Sequence, residues 1–197
     1  MNRNTPRYAL LLLLACVIPV DHSNAQTTQN PWYGRQAKTK DFENARLFAG
    51  AFFIELPKDW QVAPGYTGTI FSAAERTKPP SKPGGVITVE HMRLQLPLDA
   101  SIIQAAADLR LKEVQAREPD GKQFGATVTP GLHGPIILIQ YDRPGLLGAD
   151  DHIVQYLIPV DTVLYSVICV APAASIDKYR PIFAHVAASF TPRPPSS

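Results

Sequence analysis

Four histidines follow residue 25 of this chain: His91, His133, His152 and His185. Imidazole titrates near neutrality and binds metals through its neutral ring nitrogens, so each is a candidate base or ligand. None stands in a His-x-His or His-Glu-x-x-His arrangement, the spacings that place two ligands on one face of a strand or helix. The densest set of potential ligands is Asp150-Asp151-His152, at a loop-to-strand junction. It reads as a solvated polar cluster, with metal binding as the alternative. Gly131-Leu132-His133-Gly134-Pro135 has the glycines of an anion loop but not the strand–loop–helix context that would aim backbone N–H groups at a phosphate. Gly-x-Ser-x-Gly is absent, so a hydrolase would have to assemble from scattered residues, with His133 or His152 as its base. No catalytic residue, metal ligand or cofactor is therefore expected.

Two other features bear on chemistry. Cys169 is in phase with Val163, Tyr165 and Val167 on a predicted buried strand, which makes it a small core hydrophobe rather than a reactive thiol. Leu146 and Leu147, flanked by Gly145 and Gly148, are expected either to form an apolar contact for a partner or to fold back over a sheet edge.

These residues need elements to hold them. Residues 136–141, 152–158 and 163–170 read as three successive strands, the last two joined by a hairpin turn at Asp161-Thr162. In 136–139 and 163–170 both alternating faces are apolar, so the strands belong in the middle of a sheet covered on both sides. Upstream, strands are expected around 47–56, 60–62, 67–74 and 86–96. The last of these slips phase between Val89 and Met92, which predicts a bulge near Glu90-His91. Asp99 or Ser101 should cap a helix running to Arg117, with Ile102, Ile103, Ala106 and Leu109 toward the sheet. After a strand at 124–129, Ser175 should cap a final helix with Ile176, Tyr179, Phe183, Val186 and Phe190 on one face. Pro181 either kinks that helix or delays its start.

Composition sets the class. With 197 residues, 45% hydrophobic and 18% charged, the chain is globular and long enough for one substantial core. A formal net charge of +2 with no basic run gives no footprint for nucleic acid. The first residues form an export signal: Arg3 and Arg7, an apolar run over 8–18 too short to span a bilayer, then Ser23-Asn24-Ala25. Cleavage after Ala25 is one expectation. The other is lipidation at Cys16, because Leu13-Leu14-Ala15-Cys16 resembles the bacterial lipobox, although Leu14 departs from the residue usual there. Membrane attachment is expected only in that second case. The chain thus divides into a signal peptide (1–25), a polar linker (26–45), a single domain (46–191) and a tail (192–197).

Phe53-Ile54-Glu55-Leu56-Pro57-Lys58-Asp59-Trp60-Gln61-Val62 resembles a strand motif of the PsbP-like superfamily, and so does the closing helix Phe183-Ala184-His185-Val186-Ala187-Ala188-Ser189-Phe190 with its Ser-Phe ending. That superfamily includes the extrinsic photosystem II protein and a Ran-binding transport factor. The resemblance implies an α+β fold, a three-layer α/β/α body around an antiparallel sheet of about six strands. It implies no shared catalytic residues. The functional expectation is an exported, non-enzymatic binding or accessory protein of the bacterial envelope with an envelope protein as partner. The alternatives are an envelope hydrolase or metal-dependent enzyme using His133 or His152, and a carrier of a small apolar ligand.

Overall fold

The structure is a computed structural model that describes residues 42–47, 52–65, 69–77, 84–145 and 148–192. The expected export signal, with Cys16 and Ala25, lies outside the described residues, and so do Leu146 and Leu147.

The fold is α+β and mostly antiparallel sheet. Seven strands, β3 (Trp60–Pro64), β4 (Thr69–Glu75), β5 (Val86–Arg93), β6 (Lys122–Gly131), β7 (Gly134–Pro144), β8 (Asp150–Val160) and β9 (Val163–Pro172), form one sheet in the order β3-β4-β5-β9-β8-β7-β6. A second, three-stranded sheet joins β1 (Phe42–Leu47), β2 (Phe52–Pro57) and β10 (Thr191–Pro192) in the order β1-β2-β10. About six strands were expected and the second sheet was not: β1 starts at Phe42, inside the stretch read as a polar linker (26–45), and β10 has only two residues and exists through pairing with Phe52 and Phe53.

The meander over β7, β8 and β9 lies inside the large sheet as its two-sided apolar pattern required. Asp161, with φ 50, makes the two-residue turn that pairs Val160 with Val163. Alternating residues then build two cores. On one face Val154, Ile158, Tyr165, Val167 and Cys169 pack with β2 and with helix α2 (Ile176–Ala188). On the other, Ile137, Ile139, Ile153 and Leu157 pack against helix α1 (Ile103–Arg117), which lies over β6 and β7. Gln155 and Ser166, both buried, pair at 2.7 Å in that second layer.

Three local expectations are corrected. β5 pairs with β9 without a break, and the register shift lies on β4, between Thr69 and Phe71. The extra residue sits there, and both Ile70 and Phe71 are buried. Helix α1 buries Ile103, Ala107 and Val114, not Ile102 or Leu109. Its entry is a turn in which Asp99 Oδ1 accepts the Ser101 N–H at 2.7 Å, with no side-chain cap on the helix itself. Helix α2 runs through Pro181, whose missing N–H falls on an exposed position where the Asp177 carbonyl can be solvated. Ser175 does not cap it but donates to the Pro172 carbonyl at 3.2 Å. The buried stripe Ile176, Tyr179, Phe183 and Val186 is the predicted one.

Candidate functional site

Helix α2 closes its N-terminal half tightly onto the sheet. Tyr179 and Phe183 are buried and stacked at 5.7 Å. The Tyr179 hydroxyl donates to Glu75, which also accepts Lys178 Nζ at 2.7 Å. Burial would raise the Glu75 carboxyl, but donors from Lys178, Tyr179 and the Gly85 N–H hold it below the usual range. Gly85 is obligatory here, since a Cβ would stand 2.6 Å from Trp60 and 2.7 Å from the Tyr179 ring.

The C-terminal half packs more narrowly. Val186 and Ala187 stay buried there, but the flank toward the β6–β7 hairpin carries Ala184, Ala187 and Ala188, and between them and the hairpin lies a groove of about 410 Å³. Ile136, Ile158, Pro159 and Phe190 line its floor, and the hairpin turn Leu132-His133 forms its rim. Leu132 is 76% exposed there. The groove holds one phenol, that of Tyr156, whose pKa burial pushes up, so it stays a neutral hydrogen-bonding group. Gly134, with φ 129, lets the two-residue turn close beneath the projecting leucine.

The structure separates the residues of the Asp150-Asp151-His152 cluster. Strand alternation sends Asp151 and His152 to opposite faces of β8. Asp150 is exposed and pairs with Lys122 at 3.5 Å. Asp151 sits across from Arg143, its carboxyl raised by partial burial against the opposing pull of that guanidinium. His152 is buried, and its Nδ1 is 2.5 Å from Oδ1 of the equally buried Asp142, its cross-strand partner on β7. The sequence reading missed Asp142, ten positions away; the register of the two strands is what joins them. A carboxylate-oriented histidine is the base half of a hydrolytic triad. Here the nitrogen that would take a nucleophile's proton, Nε2, is buried with no hydrogen-bond partner among the described residues. Those residues hold no group of three or more His, Cys, Asp or Glu placed to bind a metal ion.

His133 is on the groove rim, apart from this dyad. His185 Nε2–H donates to the Glu55 carboxylate at 2.6 Å, and the ring stacks on Phe42 at 4.0 Å. Cys169 is fully buried in the first core, with its thiol pushed up by desolvation. Leu132 itself was legible by the signal used for Leu146 and Leu147, an apolar residue between glycines at a turn.

The two segments that carry the sequence resemblance dock on each other. Ser189 Oγ accepts the Glu55 N–H at 2.9 Å and donates to the Val186 carbonyl at 2.8 Å, while Phe52 stacks on Phe190 at 4.9 Å. Strand β2 thereby fixes the end of helix α2, and with it one wall of the groove.

No protein-family model matches the chain, and no curated protein does. Solved structures do. Cyanobacterial PsbP (CyanoP) from Synechocystis sp. PCC 6803 superposes with a TM-score of 0.58 at 10% identity, covering 80% of this chain and 95% of that one. The Ran-binding protein Mog1p of Saccharomyces cerevisiae gives 0.55 at 11% identity, covering 77% and 95%. LpqN, involved in cell envelope biogenesis of Mycobacterium tuberculosis, gives 0.50 at 11% identity, covering 73% and 83%. The chain has the PsbP-like fold.

Proposed function

We propose that this chain is an exported, non-enzymatic accessory protein of the bacterial cell envelope that binds a partner protein through the groove beside α2. The body presenting the groove is read as a three-layer α/β/α unit over 46–191, released by cleavage after Ala25 or tethered through Cys16. The observation that carries the reading is Leu132, 76% exposed at the rim of a groove whose helical wall is alanine. A protein surface covers a projecting leucine while filling the groove beneath it. A small ligand would fill the groove and leave the leucine wet. The inaccessible Nε2 of His152 argues in the same direction, against a base exposed to substrate. Among proteins of this fold, Mog1p is Ran-binding and LpqN is involved in cell envelope biogenesis, which is compatible with an accessory protein that has a protein partner.

A second reading, a carrier of a small apolar ligand, is favoured by the groove's volume, about 410 Å³, which falls within the usual range for small-molecule sites. A photo-crosslinking amino acid placed at Leu132 in cells separates the two, with Val62, 41% exposed on β3, as the control position. The expected result is one discrete protein adduct from Leu132, lost when Ala188→Trp fills the groove and absent from Val62. A lipid or small-molecule adduct would install the carrier reading, and equal labelling from both positions would remove the groove as a site. Mass analysis of the mature N-terminus checks export: a start at Gln26 or a lipidated Cys16 is expected, and an unprocessed cytoplasmic chain would end the envelope assignment. No helix among the described residues is long and apolar enough to cross a membrane.

A further inference from the structure

Strand β6 ends the seven-stranded order, and among the described residues it has no second neighbour. Which of its backbone groups point outward follows from the hairpin. Gly131 and Gly134 close the two-residue turn as a hydrogen-bonded pair, so pairing alternates back along the ladder. Pro130 then faces Pro135 at a non-hydrogen-bonded position, as two residues without N–H must. Thr129, Thr127 and Gly125 bond to Ile136, Leu138 and Gln140, which leaves the N–H and C=O of Val128 and Ala126 directed away from β7.

Both ends of this edge are blunted. Pro130 offers no donor at one end, and at the other the register breaks between Lys122 and Gly125, where Gln123 has φ 54. Between them Gly125-Ala126-Thr127-Val128-Thr129 carries no charge and no proline, the devices that keep an edge from pairing. The opposite edge, β3, differs: four of its five residues are exposed, so a strand added there would gain hydrogen bonds and little burial. Beside β6, helix α1 stands on one face and the groove adjoins Thr129 on the other.

We infer that residues 125–129 of β6 are a docking slot that takes an extended segment of the partner as an eighth strand, with one of its apolar side chains entering the groove next to Thr129. Only an extended main chain supplies donors and acceptors in the alternation that Ala126 and Val128 leave open, which commits the occupant to a peptide strand. The slot's lack of charge selects a segment of alternating apolar and polar residues. The inference rests on the groove reading and adds how the partner is held.

The probe is a displayed library of random octapeptides selected on the full chain, with the best sequence labelled for fluorescence polarisation. Expected are alternating sequences whose binding slows amide hydrogen exchange at Ala126 and Val128, and whose affinity falls by about tenfold or more in Ala126→Pro. That substitution removes an outward N–H and leaves the ladder to β7 intact, so the melting temperature serves as its control. The exchange measurement uses the unmodified chain and decides the matter even if the proline variant does not fold. Selection of no peptide, or of peptides that leave those two amides unprotected, overturns the slot. Peptides lost in Ala188→Trp but indifferent to Ala126→Pro overturn the slot and leave the groove reading standing. Self-association of the free chain that Ala126→Pro abolishes overturns the partner segment in favour of a second copy.

Discussion

Two sides of helix α2, its buried stripe and the flank toward the β6–β7 hairpin, give opposite results. The N-terminal half brings Tyr179 and Phe183 against Trp60, Gly85 and Glu75 and seals the layer, with the buried Asp142–His152 pair also on this face of the sheet. At the C-terminal end Val186 and Phe190 remain in the core, but the flank toward the hairpin carries alanines at 184, 187 and 188 and leaves a groove. The short side chains on that flank leave the space open. A recognition site can thus be made by omission next to a well-packed core, and the cost of mutation should differ sharply between the ends.

The sharpest way to break this contrast is at the buried dyad. Asp142→Ala should destabilise the protein by about 3–5 kcal/mol in chemical denaturation, because it strands His152 in the interior. A loss under about 1 kcal/mol would mean that the dyad is not part of a sealed core. Next comes Gly85→Ala, which forces a Cβ into Trp60 and Tyr179 and should cost about 1–3 kcal/mol. At the open end, Ser189→Ala removes the acceptor of the Glu55 N–H and should cost about 1 kcal/mol. Leu132→Ser is expected to shift stability by no more than about 0.5 kcal/mol while abolishing the crosslink partner's binding. A large loss of stability would instead make Leu132 a packing residue.

The smallest effect is one of pH. Glu75 has a lowered pKa in the folded state, so its contribution is present in full above the ordinary value of 4.5 and is lost as pH falls through the folded value below it. Stability measured from pH 6 downward should therefore decline less steeply in Glu75→Gln than in the parent chain. Identical slopes would show that the sealed end does not depend on this carboxylate.

Much of the architecture could be read from residue order, because it depends on local pattern. Period-two runs that are apolar on both faces require a covered sheet, and the 3.6-residue stripe from Ile176 to Phe190 places α2 on it. One failure was local: Ile87 and Val89 serve one core and Met92 and Leu94 the other, so the change of phase near Glu90 needs no bulge on β5, and the register shift is on β4. The site was less legible. The same Leu-between-glycines signal marks Leu132 and the pair Leu146–Leu147, and nothing in the order of residues says that Leu132 shares a groove with three alanines of α2.

Sequence alone determined what must be buried, where the chain turns and which fold those motifs resemble. Tertiary structure alone decided which distant residues come together: His152 with Asp142 rather than with Asp151, Glu55 with Ser189, and the hairpin tip and the end of α2 as two sides of one groove. The reason is strand register. Neighbours in sequence are sent to opposite faces of a strand, whereas cross-strand partners are fixed only when hydrogen bonding selects one alignment of whole strands.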